Sequence, residues 1–251
     1  MRLSCLLVVC ISLCCSHCKE PAGQFDNTPW PVTGGAKDYN KYSALTQIDT
    51  TNVQQLQVAW TYHSEQGDST RFGVMETNPI IIDSVLYGVS PKMKLFAIHA
   101  GTGKEIWHFD PADSVQNPAW HLPNVNMNRG VTWWSDGPDH RIIFCAGTLV
   151  FAVNADNGQL VKSFGREGAI DLRFGLDRDN PLSLYMVSTS PVMVYKDHFI
   201  VSGLAGENTP GHIRAFNVRT GKQDWIFHTI PLPGEPGYET WEDSTAYKRM
   251  G

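Results

Sequence analysis

The chain has no excess of basic charge: 20 Lys and Arg stand against 25 Asp and Glu, for a net charge of -5 and a pI near 6.0. The basic surface that phosphate binding needs is absent, which argues against a nucleic-acid binder. Cysteine is scarce where a cross-linked scaffold would need it. Cys5, Cys10, Cys14, Cys15 and Cys18 all fall at the N-terminus, and only Cys145 lies in the body, so no disulfide framework is built. No apolar run in the body reaches membrane-spanning length, and no segment has a convincing helical period. Long like-charge runs and low-complexity tracts are missing too. With 42% hydrophobic residues, the chain has material for one large all-β domain or two smaller ones.

Met1-Arg2 followed by the apolar run Leu3 to Leu13 has the charged start and short hydrophobic stretch of an export signal, so residues 1–18 read as a signal peptide or lipoprotein signal. Cys18 before Lys-Glu-Pro is a candidate lipid anchor; simple cleavage is the alternative, because Cys15-Ser16-His17 makes a poor lipobox. The expected location is periplasmic or exported. Residues 19–41, rich in Gly, Pro, Asn and Asp, read as an exposed lead-in.

One phrase then recurs three times, as Ala97-Ile-His-Ala-Gly-Thr-Gly-Lys-Glu-Ile-Trp107, Ala152-Val-Asn-Ala-Asp-Asn-Gly-Gln-Leu-Val-Lys162 and Ala215-Phe-Asn-Val-Arg-Thr-Gly-Lys-Gln-Asp-Trp225. Each copy runs from strand-forming residues into a polar turn whose glycine can take positive φ, then into a second strand, which is a β-hairpin. The starts are 55 and 63 residues apart, room for a four-stranded sheet and an insertion, the spacing of β-propeller blades. The small Ala leaves space between radially packed sheets, and the Trp can fill it while its N–H seeks an acceptor; Lys162 breaks the pattern in the second copy.

Four strand-like runs belong to each unit. The first has Pro79-Ile-Ile-Ile-Asp, Ser84-Val-Leu-Tyr-Gly-Val, Lys94-Leu-Phe-Ala-Ile and Lys104-Glu-Ile-Trp-His-Phe. The second has Gly130-Val-Thr-Trp-Trp, Arg141-Ile-Ile-Phe, Leu149-Val-Phe-Ala-Val and Leu160-Val-Lys-Ser-Phe. The third has Pro191-Val-Met-Val, Phe199-Ile-Val-Ser, Ile213-Arg-Ala-Phe and Asp224-Trp-Ile-Phe. Before them, the Leu56-Val58-Trp60 alternation predicts one more half-buried strand. Three blades cannot close a ring, since propellers use about four to eight, so residues 42–251 read as a partial propeller of about three to four blades and the chain as the N-terminal part of a longer protein.

Tyr42-Ser-Ala-Leu-Thr-Gln-Ile-Asp, Val58-Ala-Trp-Thr-Tyr, Glu76-Thr-Asn-Pro, Asn128-Arg-Gly-Val-Thr-Trp-Trp and the three blade phrases together resemble the pyrroloquinoline quinone (PQQ) dependent dehydrogenases, from about Trp30 to Trp241. Phe164-Gly-Arg-Glu-Gly-Ala-Ile-Asp-Leu-Arg is more similar to the glucose and polyol branch than to the methanol branch. The resemblance implies an all-β, eight-bladed propeller with PQQ and a divalent cation, Ca²⁺ or Mg²⁺, on its axis. It also implies a sugar or polyol substrate and a quinone or cytochrome as electron acceptor.

On that resemblance, Arg129 holds a PQQ carboxylate, for which a planar guanidinium is suited, and Gly130 lets the backbone come close. Glu76 is the acid beside it. Ser188, Thr189 and Ser190 offer hydroxyls at the mouth of a later blade. Glu207 and Asn208 match the cation-ligand position, where a hard cation wants oxygen donors. Each has a plainer reading as a surface ion pair, a polar turn or a polar loop.

Two departures stand out. The adjacent cysteines that the methanol and ethanol branches carry ahead of the Arg phrase are replaced by Pro123-Asn-Val-Asn-Met, and Trp134 stands where the membrane glucose enzymes have His. The family's Asp base, stacking Trp and cationic residue facing the quinone come from later blades, so no catalytic residue is assigned in this chain. Trp133, Trp134 and Trp241 read as packing residues, and Asp136, Asp139 and His140 as a solvated hairpin. The leading reading is the N-terminal portion of an exported quinoprotein dehydrogenase for an aldose such as glucose, or a polyol. The alternatives are a cofactor-free propeller serving as an envelope interaction scaffold and, more distantly, a carbohydrate-binding propeller.

Overall fold

A computed structural model describes residues 30–64, 75–114 and 127–249. The export signal at 1–18, Cys18 and the first part of the lead-in lie outside the described residues. No described helix is long and apolar enough to cross a membrane.

Turn chemistry sets the local structure. Gly103, Gly158 and Gly221 take φ of 67°, 74° and 70°, which returns each strand onto its neighbour. The first sheet is a meander of β1 (Ile80–Ile82), β2 (Val85–Val89), β3 (Leu95–His99) and β4 (Glu105–Phe109). The second contains β5 (Thr132–Asp136), β6 (Asp139–Ala146), β7 (Leu149–Asn154) and β8 (Ala169–Asp171). After β9 (Met186–Val187), the third sheet forms from β10 (Met193–Tyr195), β11 (His198–Val201), β13 (Ile213–Asn217) and β14 (Gln223–Phe227). A short β12 (Leu204–Ala205) leaves that sheet to pair with β9. All these pairs are antiparallel.

The middle sheet is buried on both faces, which explains its unbroken apolar runs. In β6 and β7, Ile142, Phe144, Leu149, Phe151 and Val153 face the first sheet, whereas Ile143, Cys145, Val150 and Ala152 face the third. Each fully buried Ile or Phe contributes about 1.5–3 kcal/mol. Burial pushes the Cys145 thiol up to about 11, so this side chain acts as a small apolar filler.

Blades are joined by a repeated contact. Trp60 donates its indole N–H to the Ala100 carbonyl at 2.9 Å and covers Gly103, where an added Cβ would stand 2.6 Å from the ring. Trp107 does the same one blade on, with Ala155 at 3.0 Å and Gly158 at 2.7 Å. In the second phrase, where Lys162 replaces Trp, backbone takes over. Gly165 N donates to Thr220 O at 2.8 Å, and Gly165 lies so close over Gly221 that a Cβ there would meet its nitrogen at 2.6 Å.

That substitution also corrects the expected strand over Leu160–Phe164. Leu160 makes only an isolated bridge to Val153, the chain turns at Phe164 and Gly165, and the fourth strand is Ala169–Asp171, paired with Leu149–Phe151. The strand expected from the Leu56-Val58-Trp60 alternation is not formed either. Leu56 and Val58 are exposed, and only Trp60 reaches a neighbour. Trp30 is less detached than a lead-in suggests: it bridges Ile81 at the free edge of β1.

Among the described residues the three blades form an open arc. Met193, Tyr195, Trp225 and Phe227 are exposed on the third sheet.

The docking contact predicts unequal costs for one kind of substitution. Trp107→Phe leaves the buried Ala155 carbonyl with only a long Tyr87 hydroxyl contact of 3.4 Å, and should cost about 1–3 kcal/mol. Trp225→Phe, at a half-exposed position, should stay within about 0.5 kcal/mol. Urea unfolding of both variants checks this, and equal losses would contradict it.

Candidate cofactor site

The innermost strand of each blade begins at the same end of the arc, and there the three segments Glu76–Asn78, Asn128–Gly130 and Ser188–Ser190 meet. Backbone bonds hold them in register. Arg129 N donates to Thr189 O at 2.7 Å, while Arg129 O accepts from Asn78 N and from Asn78 Nδ2, each at 3.1 Å. Asn128 is buried; its Nδ2 donates to Cys145 O at 2.9 Å and its Oδ1 accepts from Gly130 N at 2.7 Å. The Arg129 backbone is thereby fixed from both neighbouring blades.

The side chains converge at the same point. Arg129 Nε stands 3.3 Å from Glu76 Oε2, and Arg129 Nη1 donates to Thr189 Oγ1 at 2.7 Å. Side-chain exposures of 48% for Arg129 and 32% for Glu76 mean the pair adds at most about 1 kcal/mol of stability, so its consequence is orientation. A half-exposed guanidinium, steadied by an acid and a hydroxyl, can take the carboxylate of a bound anion.

Gly130 is required at this junction. Its φ is 145°, and an added Cβ would meet Asn78 O at 2.9 Å, Thr33 Oγ1 at 3.0 Å and Pro191 Cγ at 3.1 Å. The close approach it permits here is to both neighbouring blades.

The three hydroxyls separate. Thr189 contacts Arg129, whereas Ser188 is buried and donates to Ser202 O at 3.1 Å within its own blade. Ser190 is exposed and makes no side-chain hydrogen bond among the described residues. Glu207 and Asn208 sit in the loop from β12 to β13. That loop follows the second strand of the third sheet, and in an antiparallel meander it emerges at the end where Thr189 begins the first. The ladder then carries it sideways, since Ala205 pairs with Met186 and Gly206 N donates to Tyr185 O at 3.0 Å. Both residues are exposed, and among the described residues no hydrogen bond or ion pair joins either to Arg129, Glu76 or Thr189. Asn208 accepts from Thr209 Oγ1 at 3.4 Å and lines a cleft with Arg178, Lys248 and Arg249.

Trp134 is a packing residue, buried with its N–H on Lys196 O at 3.1 Å and with Arg141 and Arg219 over its ring. The hairpin at Asp136–Asp139 is more than solvated: Asp136 pairs with Arg219 of the next blade and Asp139 with Arg141. Sequence reasoning missed Asn78 and Asn128. Both lie inside the quoted phrases, but Asn78 acts on the backbone of the next blade, at Arg129 O, and Asn128 on backbone distant within its own blade, at Cys145 O.

This fold and mouth define a class, the quinoprotein-type propeller, and the sequence matches the family model "PQQ: Glucose/ethanol/alcohol dehydrogenase, beta-propeller domain" over residues 30–251. The chain belongs to that family, as part of its β-propeller domain. It is 28% identical over 222 residues to the quinoprotein glucose dehydrogenase of Escherichia coli (strain K12), covering 79% of this chain and 27% of the relative. It is 30% identical over 218 residues to the quinohemoprotein alcohol dehydrogenase ADH-IIG of Pseudomonas putida, covering 87% and 26%. The solved ADHIIG structure from Pseudomonas putida HK5 superposes with a TM-score of 0.69 at 27% identity, covering 89% of this chain and 31% of that one. The chain therefore spans less than a third of the length of these relatives.

Gly130→Ala should destabilise the chain by about 2–4 kcal/mol, since it combines positive φ with a clash against backbone. Gly211→Ala, with open space around the new methyl and no positive φ, should stay within about 0.5 kcal/mol. Thermal unfolding of the two variants measures the difference; similar melting temperatures would refute the junction.

Proposed function

We propose that this chain is the N-terminal portion of a PQQ-dependent dehydrogenase that oxidises the C1 hydroxyl of an aldose such as glucose, or a polyol. Electrons pass on to a quinone or cytochrome. The observation that supports it is the convergence of Glu76, Arg129 and Thr189 from three blades at one end of the arc. A cofactor-free scaffold has no need of a guanidinium held half-exposed in that way. The glucose and polyol assignment rests on the Phe164–Arg173 segment and on the glucose dehydrogenases among the relatives. Residues 1–18 are proposed to export the chain, with periplasmic location and lipid anchoring at Cys18 or simple cleavage as the two outcomes.

PQQ, when bound, supplies a two-electron acceptor for the hydroxyl-bearing carbon. Arg129 would hold one of its carboxylates through paired N–H donors. Glu76 and Thr189 keep the guanidinium plane fixed, so little side-chain freedom is lost on binding. Glu207 and Asn208 are the proposed oxygen donors for Ca²⁺ or Mg²⁺. The general base is proposed to come from a later blade, so the chain by itself should not turn over glucose when given PQQ, Ca²⁺ and an artificial electron acceptor.

Arg129→Lys in the complete enzyme keeps the charge but cannot meet Glu76, Thr189 and a carboxylate with a planar fork. PQQ affinity should fall by about 1.5–3 kcal/mol, roughly 10- to 150-fold, with the melting temperature of the apo form unchanged. Fluorescence titration with PQQ measures this, and an unchanged dissociation constant would return Arg129 to the role of a surface ion-pair residue.

A further inference from the structure

The third blade carries a second set of donors, away from the mouth residues. His212 directly precedes β13 and His228 directly follows β14, so two adjacent antiparallel strands bring them together at the end where Thr189 lies. They stand on the third and fourth strands of that sheet, about 10–14 Å outward from β10 at normal strand spacing. His212 is only 2% exposed, and its ring meets His228 edge-on with centroids 4.8 Å apart.

The third member arrives from the connection between the second and third blades. Arg214, fully buried in β13, donates to Phe174 O at 2.7 Å and to Leu172 O at 2.6 Å and so clamps that connection onto the sheet. Asp177 follows with φ of 55°, a left-handed conformation that non-glycine residues seldom adopt. Its Oδ2 lies 3.1 Å from His228 Nε2, and Glu235 Oε1 lies 2.7 Å from His228 Nδ1. One ligand atom from each of Asp177, His212 and His228 lies within 4.8 Å of the other two.

We propose that Asp177, His212 and His228 form a binding site for a divalent transition metal of the Zn²⁺ class, with Glu235 orienting His228. Ligand atoms about 2.0–2.1 Å from a tetrahedral Zn²⁺ stand about 3.3 Å from one another. The Asp177–His228 separation of 3.1 Å already meets that spacing, and the widest gap closes with about 1.5 Å of side-chain movement. A carboxylate on the far nitrogen of a ligating His fixes its tautomer and ring plane, which is the arrangement of Glu235 on His228.

The donor set also selects the ion. Two imidazoles and one carboxylate suit Zn²⁺, Ni²⁺ or Cu²⁺, whereas Ca²⁺ and Mg²⁺ want oxygen alone. The nearby Arg214 and Arg178 oppose positive charge and act on His212, while Asp177 and Glu235 offset them. An ion held by charge alone gains little there; one that forms bonds to nitrogen gains more. Thr229 N donates to His212 Nδ1 at 3.2 Å, and the Thr229 hydroxyl stands 3.5 Å from the same nitrogen. Ligation through Nε2 uses that hydroxyl as acceptor for Nδ1–H, and ligation through Nδ1 displaces the Thr229 N–H. Either route gives up one hydrogen bond.

The inference does not depend on the dehydrogenase reading, and its test needs no PQQ. The full chain, with Cys5, Cys10, Cys14, Cys15 and Cys18 each replaced by Ser to remove thiol ligands, is stripped with chelator and titrated with Zn²⁺ in competition with a chromophoric chelator. One equivalent should bind, unaffected by excess Ca²⁺. Co²⁺ should give the visible absorption of a low-coordinate nitrogen-ligated site. Asp177→Asn and His228→Gln should each weaken Zn²⁺ at least tenfold, and Glu235→Gln about tenfold without removing a ligand. Asp177 is exposed, so Asp177→Asn keeps the fold, as circular dichroism can verify, and suffices if His228→Gln unfolds. No Zn²⁺ bound to the parent, or parent-like affinity in folded Asp177→Asn, would overturn the site and leave a hydrogen-bonded histidine pair.

Discussion

The contact on which the arc depends is the seating of one blade's large side chain on the hairpin glycine of the next. A β-sheet of four short strands cannot bury its faces alone, and stacking neighbours supplies the missing surface. The Trp107 indole on Gly158, with its N–H on Ala155 O, sets the distance and angle between the first two blades, and the backbone at Gly165 on Gly221 does so for the next pair. Because these contacts lie at the outer hairpins, they fix how closely the inner strand ends approach. That approach is what Gly130 permits and what brings Arg129 between Asn78 and Thr189. The mouth is a consequence of blade docking at the rim.

Much of this is local chemistry and can be read along the chain. A polar turn with glycine at positive φ, bracketed by strand-forming residues, is settled within about ten residues, so the three hairpins and their spacing are legible without tertiary information. The fourth strand of the second blade is not. Leu160–Phe164 has an apolar pattern fit for a strand, but with Lys162 in place of Trp the chain turns inward at Phe164 and lets Gly165 contact a glycine 56 residues on. Leu56 and Val58 mislead in the same way, since alternation signals a buried face only where a neighbour covers it.

At the mouth, the phrase around Arg129 identifies the residue, yet its partners depend on three blades. Of three consecutive hydroxyl residues, only Thr189 points at the guanidinium, because β9 pairing with β12 turns Ser188 toward Ser202. The cluster of Asp177, His212 and His228 was illegible for a plainer reason. No motif spans its members, and a buried arginine in the intervening strand brings the first to the other two.

The proposed role of Arg129 is to read a carboxylate of PQQ. Comparing PQQ with its trimethyl ester separates that contact from ring burial, because the ester keeps the ring system and loses the three negative charges. In the complete enzyme the parent should prefer PQQ over the ester, and Arg129→Met should lose about 1.5–3 kcal/mol of that preference, the worth of a charge-assisted contact. An undiminished preference in Arg129→Met would place the carboxylate elsewhere and contradict the account.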